Sequence, residues 1–424
     1  MIDFKENRTY RYSLYASIYL TEGMAALVIL VILPIYLKNY KGLSDLAIAI
    51  LAGLSLLPIV LKPIMAIFSD NYSIKVLGGR RKPYILLGFI LNGISLPLIG
   101  IVDPVSFLYM FGIIWVLQTS GIALMDVAID ALVTESFSQT SEKVNANIVF
   151  YIANTCSVLI IIPIAYVSET NVLHFGLHLT PQLQFDFFWG GNFELGFLLT
   201  GIICIALIIF TLFLRENNDY QGRVRFSKDK LVKYLRSKYV PTLLLMFFLV
   251  QIDSGLMEFT LDPFFRVAGL TASAQLLFFL PAVVFSILGS VAAKWFVKKG
   301  IIKSLIYCIS SFAGYYLILC LLIFLSPEII PVFYYFAAIP IGLLSQAAHI
   351  LLITIAMNSA DKDLTATTLT LLITMINLGR LFGILLAGVI PFTGDLKMGI
   401  IFLVSAIVMV IRVPIFLKLR DLEE

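Results

Sequence analysis

Apolar residues along this chain come in long uninterrupted runs, with polar residues gathered into short clusters between them. A helix needs about 20 mostly apolar residues to cross a bilayer. By that measure spans are predicted near 12–37, 46–68, 84–101, 105–133, 146–166, 194–214, 240–261, 272–293, 301–325, 331–357, 365–390 and 398–417. The first run follows Lys5, Arg8 and Arg11, as a targeting signal would. At about 26 residues it is too long for a signal-peptide core and lacks a small-residue cleavage site, so it is expected to be retained as the first span. Only "RENNDYQGRVRFSKDKLVKYLRSKY", 215–239, is a long hydrophilic stretch between spans, and it divides them six to six.

Cation placement gives the orientation. With the N-terminus inside, segments facing the cytoplasm hold 23 of the 30 Lys and Arg, outer loops hold four (Lys38, Lys41, Arg266 and Lys397), and the outer segment 167–193 holds none. Lys62, Arg380 and Arg412 fall within spans. This bias predicts a multi-pass protein of the cell membrane with both termini cytoplasmic. The basic stretch 215–239 is read as a positive-inside connector; contact with anionic lipid is the other reading.

Composition agrees with a bilayer as the main solvent. The 424 residues are 60% hydrophobic and 13% charged, against roughly 45–50% and about 25% in soluble domains. A net charge of +4 gives no reason to expect nucleic acid. Cys156, Cys204, Cys308 and Cys320 stand singly within apolar runs, without the spacing of a disulfide framework or a zinc site.

A shift of 228 residues aligns Gln118 with Gln346, Asp130 with Asn358, Glu135 with Asp363 and Pro163 with Pro391, without a gap. The expected architecture is therefore all-α and membrane-embedded. It comprises a six-helix bundle over 1–214, a basic cytoplasmic linker over 215–239 and a second six-helix bundle over 240–424, related by pseudo-two-fold symmetry.

One stretch carries more than topology: "LKPIMAIFSDNYSIKVLGGRRKPYILLG", 61–88. An aspartate closing span 2 (Asp70), two glycines (Gly78, Gly79) and a cation cluster (Arg80, Arg81, Lys82) before span 3 resemble the loop signature of the major facilitator superfamily, with a longer gap from aspartate to glycine. That gap, with Leu57-Pro58, Lys62-Pro63, Ser69-Asp70 and "MDVAIDALVTE" at 125–135, resembles the folate–biopterin transporter family. The muropeptide permease and bacteriochlorophyll-delivery branches share parts of the pattern, and sugar-cation symporters have a similar arginine loop. The resemblance implies the major facilitator fold and a pterin- or folate-like solute; the expectation is a proton-coupled secondary transporter, a symporter working by alternating access, and the architecture requires no more than a monomer. A muropeptide or sugar permease, or a non-transporting assembly factor of the same fold, are the alternatives it leaves.

Physics gives the same residues work. Asp70 with Arg80 and Arg81 sits at the inner mouth, where charge pairs between loops and helix ends can hold one conformation and must break in another; enforcing topology would explain the cations but not Asp70. Asp126 and Asp130 lie one turn apart on one face of span 4 and would repel without cations in reach. Lys62, at similar depth in span 2, suits Asp126, and Arg80 or Arg81 suits Asp130.

Ionisable groups near mid-bilayer are candidates for substrate or proton binding. Glu22 ends a face that carries Tyr12, Tyr15 and Tyr19, an aromatic stripe suited to a flat heteroaromatic ring or simply to packing. Asp253 occupies roughly the repeat position of Glu22, and Glu258 lies further along the same span. Arg380, beside Asn377 and between Gly379 and Gly383, cannot shed its charge; it must meet Glu22, Asp253 or Glu258, or an anionic group of the solute. The two glycines read as helix packing. Gln118, Gln346 and His349 either line the path or join helices. His174 and His178 lack a third ligand for a metal, and the segment holding them reads as a loop.

No phosphate-binding GxxxxGK[ST], serine elbow or HExxH occurs. Neither ATP-driven pumping nor an intramembrane enzyme is expected, and no cofactor or metal is implied.

Overall fold

Helices begin where the sequence supplies caps and break where proline removes a donor. The computed structural model describes residues 2–3, 7–72, 79–137, 139–169, 173–180, 183–189, 193–216, 226–256, 272–326, 330–390 and 394–419. Helix α1 (Arg8–Leu27) starts at Asn7, whose side chain accepts from the Tyr10 amide at 3.0 Å, and continues through π-helical turns at Val28–Ile32 and Tyr36–Tyr40. Span 2 is three segments, α2 (Asp45–Ser55), α3 (Leu57–Val60) and α4 (Lys62–Asn71). Pro58 and Pro63 lie in the first turns of α3 and α4, where a missing N–H costs nothing, so the breaks fall just before them.

The remaining helices are α5 (Lys82–Ile101), α6 (Leu108–Ser136), α7 (Thr140–Glu169), α8 (Phe193–Leu212), α9 (Lys228–Leu235), α10 (Val240–Val250), α11 (Ala272–Lys298), α12 (Ile301–Leu325), α13 (Ile330–Ser359), α14 (Thr365–Val389) and α15 (Gly394–Lys418). Among the described residues nine helices are long and apolar enough to cross a membrane. A tenth is obtained if α9 and Val240–Leu256, bent by 76°, count as one. Large apolar side chains such as Ile101, Trp295, Leu325 and Val389 stand exposed, as helix faces turned to lipid require.

The segment expected as an outer loop is in part an antiparallel hairpin of β1 (Leu173–Thr180) and β2 (Leu183–Trp189). Leu173, Phe175, Leu177 and Leu179 alternate with His174, Gly176, His178 and Thr180, a period of two that marks a strand. Among the described residues no group of His, Cys, Asp or Glu forms a metal site.

The chain divides into two units, Met1–Leu132 with Ala153–Gly222, and Val133–Ile152 with Arg223–Glu424. Within the first, α5 and α8 run together closely enough that a Cβ at Gly201 would strike the ring of Pro97. Within the second, a Cβ at Gly379, Gly383 or Gly255 would strike the backbone carbonyl of Phe248, Ile252 or Arg380 respectively. Those glycines let α14 lie backbone to backbone against α10 and the turn that follows it. The first half of α7 packs in this unit too, Val144, Ile148 and Tyr151 closing on Ala293, Ala347 and Ile350.

Candidate functional site

The break before α4 decides where Lys62 points. Restarting the helix at that residue turns its ammonium toward α6, where Lys62 Nζ donates to Asp126 Oδ2. Both side chains are buried, at 6% and 8% exposure, so the pair replaces water for two charges that otherwise have none. One turn along α6, Asp130 accepts from the Tyr19 hydroxyl of α1. Glu22, the next group on the Tyr15–Tyr19 face, lies within electrostatic reach of Asp126, Lys62 and Asp130. Its Oε2 is buried with no hydrogen-bond partner among the described residues. Three carboxylates, one ammonium and a phenol from α1, α4 and α6 thus converge in the first unit.

At the inner mouth Arg81 lies against the end of α4, with Nη2 2.7 Å from Asp70 Oδ1 and Nη1 2.6 Å from Ser69 Oγ, and Arg80 Nη2 lies 3.9 Å from the same Asp70 oxygen. The reason is geometric. Arg81 caps α5, and Glu216 accepts from the backbone N–H groups of Arg80 (2.8 Å), Arg81 (2.8 and 3.0 Å) and Lys82. A carboxylate on the free amides of a helix N-terminus is favoured by both hydrogen bonding and the helix dipole. Gly79 makes room for it, because a Cβ there would strike the Glu216 carboxyl. Lys82 Nζ completes the exchange by donating to the carbonyls of Leu212 (2.8 Å) and Leu214 (2.9 Å) at the end of α8. Glu216 was legible only as a charge just past span 6; nothing in its sequence neighbourhood tied it to α5.

Gln118 joins helices. It is fully buried, and its Nε2 donates to Asn92 Oδ1 at 2.9 Å between α6 and α5.

In the second unit Asp253, in the helical turn after α10, receives Arg412 Nη2 of α15 and the Tyr316 hydroxyl at 3.2 Å from α12. Asp253 and Arg412 are 4% and 2% exposed. Of the partners weighed for Arg380, Asp253 is therefore already matched by Arg412, a cation whose midspan position alone signalled that a carboxylate must lie beside it. Arg380 itself is exposed on α14, with Asn377 half-buried one turn before it, and lies within electrostatic reach of His349 on α13. The His349 ring sits 5.0 Å from that of Tyr151. One turn back on α13, Gln346 Nε2 is buried with no hydrogen-bond partner among the described residues. Lys143 of α7 donates to the Met357 carbonyl at 3.1 Å and to Asn358 Oδ1 at 3.0 Å, and Asn147 Nδ2 to Thr354 Oγ1 at 3.2 Å, contacts the sequence did not suggest. Glu258 and Gly78 lie outside the described residues.

Long apolar helices with buried ion pairs between them, the described residues being mostly helical, define a polytopic membrane fold. The Major Facilitator Superfamily family model matches residues 15–384, and the chain belongs to that superfamily. Among curated proteins it is 30% identical over 125 residues to a folate-biopterin transporter of Synechocystis sp., covering 30% of this chain and 24% of that protein. It is 21% identical over 219 residues to folate transporter 2 of Plasmodium falciparum, covering 51% and 43%. The matches thus span less than half the length of these relatives. Among solved structures, the transporter FucP in its outward conformation superposes with a TM-score of 0.68 at 13% identity, covering 97% of this chain and 99% of that one. A bacterial homologue of the iron transporter ferroportin gives 0.65 at 14% identity, with the same coverage. At such identities these structures establish the fold.

Proposed function

We propose that this protein is a proton-coupled secondary transporter of the cell membrane that moves a pterin- or folate-like solute by alternating access, as a monomer with both termini in the cytoplasm. The observation that carries the reading is the cluster of Glu22, Tyr19, Lys62, Asp126 and Asp130. Lys62 balances Asp126, which leaves two further buried carboxylates, Glu22 and Asp130, within one cluster. Three carboxylates facing one ammonium in a low-dielectric site are strongly disfavoured, so a proton held between Glu22 and Asp130 is the least costly arrangement. Such a proton can be exchanged as the site is exposed to one side and then the other. Glu22, with an unfilled Oε2 and the Tyr19 and Tyr15 rings on the same face, is also suited to the amino edge of a flat heterocycle.

Arg380 supplies the other half of the reading. An exposed guanidinium at mid-span belongs on an aqueous path rather than against lipid, and with Asn377 and Gln346 it suits an anionic end of the solute. The folate names of the relatives support this substrate class. Asp253, matched by Arg412, is assigned to holding α15 against α10 and α12. Asp70, Arg80 and Arg81 are assigned to the inner gate, where the Asp70 pair must loosen when helix ends move.

The test is uptake of labelled folate and biopterin into proteoliposomes with and without an inward proton gradient, for wild type, Glu22→Gln and Arg380→Ala. Gradient-stimulated uptake of one solute is expected in wild type. Glu22→Gln should lose the stimulation, and Arg380→Ala the uptake itself. Folded protein that accumulates neither solute, or a Glu22→Gln variant that still answers the gradient, would overturn the assignment.

A further inference from the structure

The acidic cluster of the first unit contains a neutral residue, Tyr19, whose position gives it a role of its own, one that rests on the cluster being the coupling site. The charges here are Asp126 and Asp130 of α6, Glu22 of α1 and Lys62 of α4. The other titratable groups facing them are the phenols of Tyr19 and Tyr15 on α1, with Arg11 beyond Tyr15. Lys62 is committed to Asp126.

The two remaining carboxyl groups have unequal surroundings. Asp130 accepts from the Tyr19 hydroxyl, and the two residues are 6% and 2% exposed. Glu22 has a buried Oε2 with no hydrogen-bond partner among the described residues. Tyr19 and Glu22 stand three residues apart on one face of α1, so both approach α6 from the same side. A phenol has a single proton to donate, and once given to Asp130 it is not available to Glu22. Donation to a carboxylate oxygen favours the ionised form of that group. The opposite arrangement, with the proton on Asp130, would leave an ionised Glu22 with a buried oxygen that no described residue solvates, which is the more costly state.

We propose that Tyr19 is a positioning residue of the coupling step: by holding Asp130 ionised it assigns the exchangeable proton to Glu22. Asp130 then acts as a fixed negative charge that favours the proton on its neighbour without carrying it. Arrival and departure of the proton change the charge of α1 alone, on the face that bears Tyr15 and Tyr19, while Asp126 stays paired with Lys62 and Asp130 stays bonded to the phenol.

The test needs no solute. Purified full-length protein in lipid would be followed by infrared difference spectroscopy during a pH titration, reading the C=O stretch of a protonated carboxyl group in an apolar site, with α-helical circular dichroism as the check that each variant is folded. Wild type should show one such band. Glu22→Gln should lose it, because Asp130 keeps its phenol and the cluster already has the net charge that wild type reaches on taking up a proton. Asp130→Asn should keep it, because Glu22 remains desolvated. Adding Tyr19→Phe to Glu22→Gln should bring a band back, now from Asp130, whereas a phenol that only packs would leave the Glu22→Gln spectrum unchanged. A band that survives Glu22→Gln and vanishes in Asp130→Asn would overturn the assignment to Glu22 while leaving a proton in the cluster. No recovered band in the double variant would overturn the role of Tyr19. No band in wild type at any pH would remove the proton itself, and the coupling reading with it.

Discussion

Lys62 is tolerable inside an apolar helix because Asp126 faces it, and the reverse holds equally. Removing one partner of a buried pair strands the other, at a cost of about 3–5 kcal/mol, whereas removing both with apolar residues of similar size is often near neutral. Lys62→Met is therefore expected to lower the unfolding free energy by about that amount, and Lys62→Met with Asp126→Leu to recover most of it, as measured by denaturation in detergent. A double variant as unstable as the single one would show that the pair is not the dominant partner of either group. Gly79 illustrates the opposite kind of residue, defined by the atom it lacks. Gly79→Ala should push Glu216 off the amides of α5 and destabilise that helix start by about 1–2 kcal/mol, a range typical of lost caps. Glu216→Gln, which keeps an oxygen acceptor, should cost less.

At the scale of elements, proline and glycine do most of the positioning. Pro58 and Pro63 cut span 2 into three pieces, and the last cut starts α4 at Lys62. Pro63→Ala should let the helix run on and turn the ammonium away from Asp126. The expected result is a lost pair with the fold retained, seen as faster modification of Lys62 by an amine reagent while α-helical circular dichroism is unchanged. Gly379 and Gly383 act on the other side of the chain by letting α14 touch the backbone of α10 and its extension. Gly379→Leu should separate the two helices and lower thermal stability more than the same change at Gly314, where an added Cβ meets nothing within 4 Å.

At the scale of the whole molecule, the fold is that of a Major Facilitator Superfamily transporter, and the prediction that belongs here concerns energy coupling. If the proton resides between Glu22 and Asp130, Asp130→Asn should, like Glu22→Gln, abolish concentration against a gradient. Exchange of solute at equilibrium should persist, because exchange needs no net proton movement. Counterflow in proteoliposomes measures the second property and gradient-driven uptake the first. Loss of both in Asp130→Asn would place the residue in solute binding instead.

Much of this was legible in the order of residues. Length and apolarity of the runs, the placement of cations and the Asp70 to Lys82 motif led to the class of fold, because bilayer thickness and the cost of unsatisfied backbone groups leave few alternatives. The Lys62–Asp126 contact was foreseeable from depth alone, since both charges needed a partner at the same level. Partners that come from helix azimuth or distant segments were not. Asp130 takes Tyr19, Glu216 crosses more than a hundred residues to cap α5, and Arg412 reaches Asp253 from α15. Hydropathy fixes how deep a side chain lies, but which neighbour it meets depends on rotation about each helix axis and on the closeness of packing, and only the tertiary structure decides those.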